Sequence, residues 1–136
     1  MRYRGCEIDA DYLAAVEEWQ FLHDADVLDK EVQTVVEIGA GFGRTCHTLL
    51  TLAPAIRRYL IIDLEPMLRL ARAYLQRVVP NGEVTFVAHD DNVEIAKIAE
   101  LRPDLVINID SFQEMLPEVV DACGRIVRRL RRLARS

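Results

Sequence analysis

The apolar positions of this chain switch between helical and extended spacing, and the order of the switches predicts the architecture. Between residues 9 and 30, Tyr12, Leu13, Val16, Trp19, Phe21 and Leu22 recur at helical spacing, leaving Glu17, Glu18 and Gln20 on a polar face. Residues 34–38 are a short apolar run read as a strand, and residues 44–52 form a helix offering Leu49, Leu50 and Leu52 to a core. A second strand covers residues 59–64. Pro66 opens the next helix, in which Met67, Leu68, Leu70, Ala71, Tyr74, Leu75 and Val78 keep the three-and-four rhythm until Pro80-Asn81-Gly82 turns the chain. Residues 84–88 are a third strand and residues 93–101 a short helix. Pro103 then sets off a fourth strand over 105–109.

Strands alternating with helices predict an α/β fold, a Rossmann-like parallel sheet with helices on both faces. Right-handed crossovers place the first of these strands centrally, giving the order 3-2-1-4. At 136 residues the chain is read as one small domain. Residues 1–31 form a helical cover, 32–115 the α/β core and 116–136 a basic C-terminal helix. Trp19 on the cover is either a lid over the site or a core residue.

The junction Glu37-Ile38-Gly39-Ala40-Gly41-Phe42-Gly43-Arg44-Thr45 carries the chemistry. Glycines at alternate positions between a strand and a helix permit a tight turn whose N–H groups and helix dipole face a small polar ligand, although they could also serve a close turn alone. A dinucleotide fingerprint needs its third glycine at the sixth position, where Arg44 stands, so a nicotinamide-dependent reductase is a lesser alternative. A phosphate-binding P-loop needs a lysine that Arg44-Thr45 does not supply, which argues against ATP hydrolysis. Glu37, at the strand end, suits a ligand with cationic or hydrogen-bond-donating groups.

With Tyr59-Leu60-Ile61-Ile62-Asp63-Leu64-Glu65-Pro66 and the run from Asp104 to Met115, this junction resembles class I S-adenosylmethionine-dependent methyltransferases, in particular a sugar O-methyltransferase subgroup, over about residues 32–120. The resemblance implies S-adenosyl-L-methionine as cofactor and a small hydroxylated acceptor, a sugar among the candidates. It implies that Glu37, Gly39, Ala40, Gly41, Gly43 and Arg44 hold the methionine part, and that Asp63, beside Leu64, accepts from the ribose hydroxyls. Asp63 could equally cap the helix that Pro66 opens. Asp90 or Asp91 meets the adenine, and His89 and Asn108 complete the cofactor set. Methyl transfer then needs alignment of acceptor oxygen, methyl carbon and sulfur, and a proton acceptor, for which Asp110, Glu114 and His47 are the candidates. The resemblance also implies a truncated domain, because no further strands follow residue 109. The edge beside the fourth strand is expected to be covered by a missing C-terminal segment or a second copy, and a cofactor-binding or structural module without turnover is the main alternative.

Composition adds limits. No apolar run reaches the length needed to cross a membrane, and Arg2 and Arg4 are followed by acids instead of an export segment, which points to the cytoplasm. Cys6, Cys46 and Cys123 lack metal spacing, His23, His47 and His89 are scattered, and no metal is expected. The net charge is −5, from 17 basic and 22 acidic residues. Six arginines fall in the last twelve residues, so the first 124 hold 11 basic against 22 acidic residues, or −11. An acidic body with a short basic tail and no aromatic platform argues against nucleic acid as the partner.

Overall fold

The computed structural model describes residues 2–28, 31–109 and 111, with positions 117, 120, 121, 124, 125, 127 and 128 of the C-terminal segment. It opens on a two-residue antiparallel hairpin, β1 (Arg2–Tyr3) and β2 (Cys6–Glu7), which no periodicity announces. Helix α1 (Ala10–Asp24) begins at Asp9, whose carboxylate accepts from the Asp11 N–H at 2.9 Å. It ends six residues before the expected Lys30. Asp26 takes φ +54°, its N–H bonds to the carbonyl of His23, and the Val27 N–H bonds to that of Leu22. This is a left-handed stop built without glycine, so the sequence carried no stop signal.

The central sheet has β3 (Thr34–Ile38) between β4 (Arg58–Asp63) and β6 (Leu105–Ile107), with β5 (Glu83–Ala88) outside β4. All pairings are parallel and the order is β5-β4-β3-β6, as the crossover rule predicts. From β3 to β5 the chain steps in one direction and lays α2 (Arg44–Leu52) and α3 (Glu65–Val78) on one face. The return to β6 carries α4 (Asn92–Glu100) to the other face. Alternate strand residues divide accordingly: Val35, Tyr59 and Ile61 pack with Leu49, Ala71 and Leu75, while Val36, Leu60 and Ile62 pack with Ile95 and Ile98. Val127 joins the second group.

Two elements depart from expectation. Strand β6 stops at Ile107, not 109, because the side-chain amide of Asn108 donates to the Ile38 carbonyl at 2.8 Å and replaces a ladder bond. In α1 the inward stripe is Tyr12, Ala15, Glu18, Trp19 and Leu22, so Glu18 leaves the expected polar face and Phe21 is 72% exposed. Polar partners on α2 set this phase in place of apolar periodicity. Among the described residues no helix is long and apolar enough to cross a membrane.

Candidate functional site

The carboxyl ends of β3, β4, β5 and β6 share one edge of the sheet, where open α/β folds collect ligands. A cleft of about 230 Å³ lies there, lined by Glu37, Gly39, Ala40, Gly41 and Arg44 and also by Asp11, Phe42, Ile109 and Ser111. Ser111 belongs to the polar run expected beyond the fourth strand, whereas Asp11, Phe42 and Ile109 were not anticipated, since they come from the helix phase, an apolar loop position and the end of an apolar strand pattern.

Gly39, Gly41 and Gly43 all have positive φ, of 76°, 59° and 93°. An added Cβ at Gly41 would meet nothing within 4 Å, whereas at Gly43 it would lie 2.8 Å from Leu75 Cδ1. Gly43 therefore lets α2 and α3 approach, and Gly41 keeps the backbone open. The glycine N–H groups are directed inward. Gly39 donates to the Ile62 carbonyl at 2.9 Å, Gly41 to Asp63 Oδ2 at 2.9 Å and Gly43 to the Ala40 carbonyl at 3.0 Å. The expectation that these three donors face the ligand is corrected: β4, the turn itself and Asp63 at the end of β4 take up the N–H groups of Gly39, Gly43 and Gly41 in that order.

Asp63 is 6% exposed and accepts a second bond, from the Leu64 N–H, at its other oxygen. Leu64 caps α3 through its carbonyl, which accepts from Met67 and Leu68. Glu37 is 2% exposed and accepts from the Tyr59 hydroxyl at 2.7 Å. Burial raises its carboxyl to about 7; the Tyr59 bond opposes the rise, nearby Glu18 and Asp63 add to it, and Arg44 counters it. Arg44 is held by α1, with its guanidinium 2.7 Å from Glu18 Oε1 and 3.9 Å from Asp11. Glu18 Oε2 accepts from the Thr45 hydroxyl at 2.9 Å.

The remaining candidates are dispersed. His89 follows β5; its N–H donates to the Asp63 carbonyl, and its buried Nδ1 has no partner among the described residues. Asp91 caps α4 by accepting from Val93 and Glu94, while Asp90 is exposed beside it. Asn108 binds the end of β3, together with Ser111. His47 is not among the residues lining the cleft: its Nδ1 lies 3.2 Å from the Tyr12 hydroxyl and 2.9 Å from that of Tyr74, and burial holds its ring below the usual histidine range. Asp110, Glu114 and Cys123 lie outside the described residues. Among the described residues no three His, Cys, Asp or Glu side chains gather as metal ligands.

Among solved structures, a provisionally named caffeoyl-CoA O-methyltransferase from Staphylococcus aureus matches with a TM-score of 0.53 and 16% identity, over 74% of this chain and 45% of that one. The fold is a Rossmann-like methyltransferase fold. An amino pentose methyltransferase from Micromonospora echinaspora, solved with S-adenosylmethionine bound, matches at a TM-score of 0.41 and 18% identity, over 64% of this chain and 37% of that one, too remote to argue from. The chain thus spans less than half the length of either structure. No protein-family model and no curated protein matches it. In this methyltransferase fold the glycine turn, Glu37 and Asp63 stand together at the strand ends.

Proposed function

We propose that the chain is an S-adenosyl-L-methionine-dependent O-methyltransferase of the cytoplasm, acting on a small hydroxylated acceptor such as a sugar. The observation that carries this reading is the strand-end arrangement in which a buried acid, Glu37, faces a left-handed glycine turn fastened to a second acid, Asp63. The residues present fit the cofactor: Gly41 leaves open space where any side chain would stand, and the acids suit a ligand bearing ammonium, sulfonium and hydroxyl groups.

When bound, the cofactor supplies a methyl group already activated by a positive sulfur, so the protein's task is alignment and removal of the acceptor proton. Glu37 receives the cationic methionine part across the Gly39 to Gly43 turn. Asp63 keeps a lone pair on each oxygen beyond the bonds from Gly41 and Leu64, and these accept from the ribose hydroxyls. The adenine falls to Asp90, since the carboxylate of Asp91 is engaged in capping. With His47 Nδ1 held between two tyrosines, Asp110 or Glu114 takes the acceptor proton.

The test is calorimetric titration of the full chain with S-adenosylmethionine, S-adenosylhomocysteine and a nicotinamide dinucleotide. Saturable binding of the first two, weakened at least tenfold by Asp63→Asn, is expected. A folded protein that binds none of them, or prefers the dinucleotide, sinks the proposal. A second reading, a cofactor-binding module that does not turn over alone, is favoured by the outer side of β6, which has no strand partner among the described residues. Binding without methylation of any acceptor distinguishes it, and on either reading self-association through that edge would complete the sheet.

A further inference from the structure

Among the described residues that line the cleft Arg44 is the one cation, and the fold holds it in an ion pair. Arg44 lines the cleft with its side chain 23% exposed, and its guanidinium meets Glu18 Oε1 at 2.7 Å while Asp11 stands at 3.9 Å. Glu18 is itself 16% exposed and is fixed by its second oxygen to the Thr45 hydroxyl at 2.9 Å, so it cannot follow Arg44 elsewhere without breaking a bond at the start of α2. The three glycine N–H groups that a phosphate would seek are bonded to the Ile62 carbonyl, Asp63 and the Ala40 carbonyl. Glu37 and Asp11 line the same space. A glycine turn opening a helix is by default an anion site, and here two of its sources of positive potential, the three glycine N–H groups and the Arg44 guanidinium, are already bonded within the protein.

We propose that Glu18 is a specificity-determining residue: by holding Arg44 in an ion pair it keeps the cleft negative, so that the glycine turn takes a positively charged ligand and rejects a phosphate. The inference rests on the methyltransferase reading for the identity of the cation, the sulfonium of S-adenosylmethionine, which its neutral thioether product lacks. Without the Glu18 carboxylate, Arg44 turns into the cleft toward Glu37. One unit charge gained at partly buried range acts on the ammonium that both ligands carry but on the sulfonium of one alone, so it weakens the sulfonium ligand by about tenfold more than the thioether.

Titration of wild type, Glu18→Gln, Arg44→Gln and the double variant with S-adenosylmethionine, S-adenosylhomocysteine and inorganic pyrophosphate tests this, with circular dichroism confirming the fold. In Glu18→Gln the preference for the sulfonium over the thioether should fall about tenfold, and pyrophosphate should bind more tightly by a similar factor. The double variant should recover the wild-type preference, because the unpaired cation is gone. Equal losses of both sulfur ligands, or a double variant no better than Glu18→Gln, would mean that Glu18 merely holds α1 in place. Should Glu18→Gln fail to fold, Arg44→Gln decides alone, an unchanged preference overturning the proposal and an increased one supporting it. If wild type binds neither sulfur ligand, the proposed function has failed, yet the pyrophosphate arm still judges the charge argument: tighter binding in Glu18→Gln sustains it and unchanged binding removes it.

Discussion

At the scale of single residues, the site places groups where their ordinary preferences are overridden, and each override is measurable. An unfolded Glu37 carboxyl ionises near 4.5 and the folded one near 7. Between those values the native state holds a proton that the unfolded chain has released, so the contribution of Glu37 to stability is full below about 4.5 and is lost as pH rises toward 7. The loss is on the order of 3 kcal/mol. Glu37→Gln keeps an acceptor for Tyr59 and abolishes the titration, so urea denaturation across this range should show the wild-type advantage shrinking by that amount and levelling above pH 7. The glycines differ in kind. Gly43→Ala combines φ +93° with a contact of 2.8 Å to Leu75 and should cost about 2–4 kcal/mol, the sum of backbone strain and overpacking. Gly41→Ala has strain without the clash and should cost about 1–2 kcal/mol; equal losses in the two variants would contradict the packing role of Gly43.

At the scale of elements, the short strand β6 is held by more than its ladder. Asp104 Oδ2 accepts from the Gln33 and Thr34 N–H groups at 2.9 and 2.8 Å, and Asn108 fastens the other end to β3, so two side chains bracket three strand residues. Asp104→Ala should lower stability by about 1–2 kcal/mol and raise amide exchange in β6 more than in β4; uniform exchange changes would remove this bracket from the account. The core strands and helices were legible because each has one buried face of clear period, as at Val35, Tyr59 and Ile61 against Val36, Leu60 and Ile62. Helix α1 was less so. Its inward stripe includes Glu18, its stop uses Asp26 instead of glycine, and neither follows from apolar spacing.

At the scale of the molecule, the outer side of β6 has no strand beside it among the described residues, and a groove of about 480 Å³ runs along it beneath Phe21. Apolar edges of parallel sheets are ordinarily covered. Sedimentation should therefore show concentration-dependent self-association that Phe21→Glu weakens, while the 72% exposure of Phe21 keeps the stability change within about 0.5 kcal/mol. A monomer at all concentrations, or association indifferent to the substitution, would detach this groove from any interface between copies.

The order of strands, the glycine turn and the acids at the strand ends were determined by the sequence itself, since periodicity, crossover handedness and glycine's freedom at positive φ are local or topological rules that need no partner. Pairings between distant residues were decided only by the tertiary structure. Tyr59 with Glu37, Glu18 with Arg44 and Thr45, and Gly41 with Asp63 join positions between 22 and 27 residues apart. No spacing rule reaches that far: which carboxylate finds which donor depends on the phase of α1 against α2 and on the register of β3 against β4. Those pairings set which charged groups stand free in the cleft and which are already bonded.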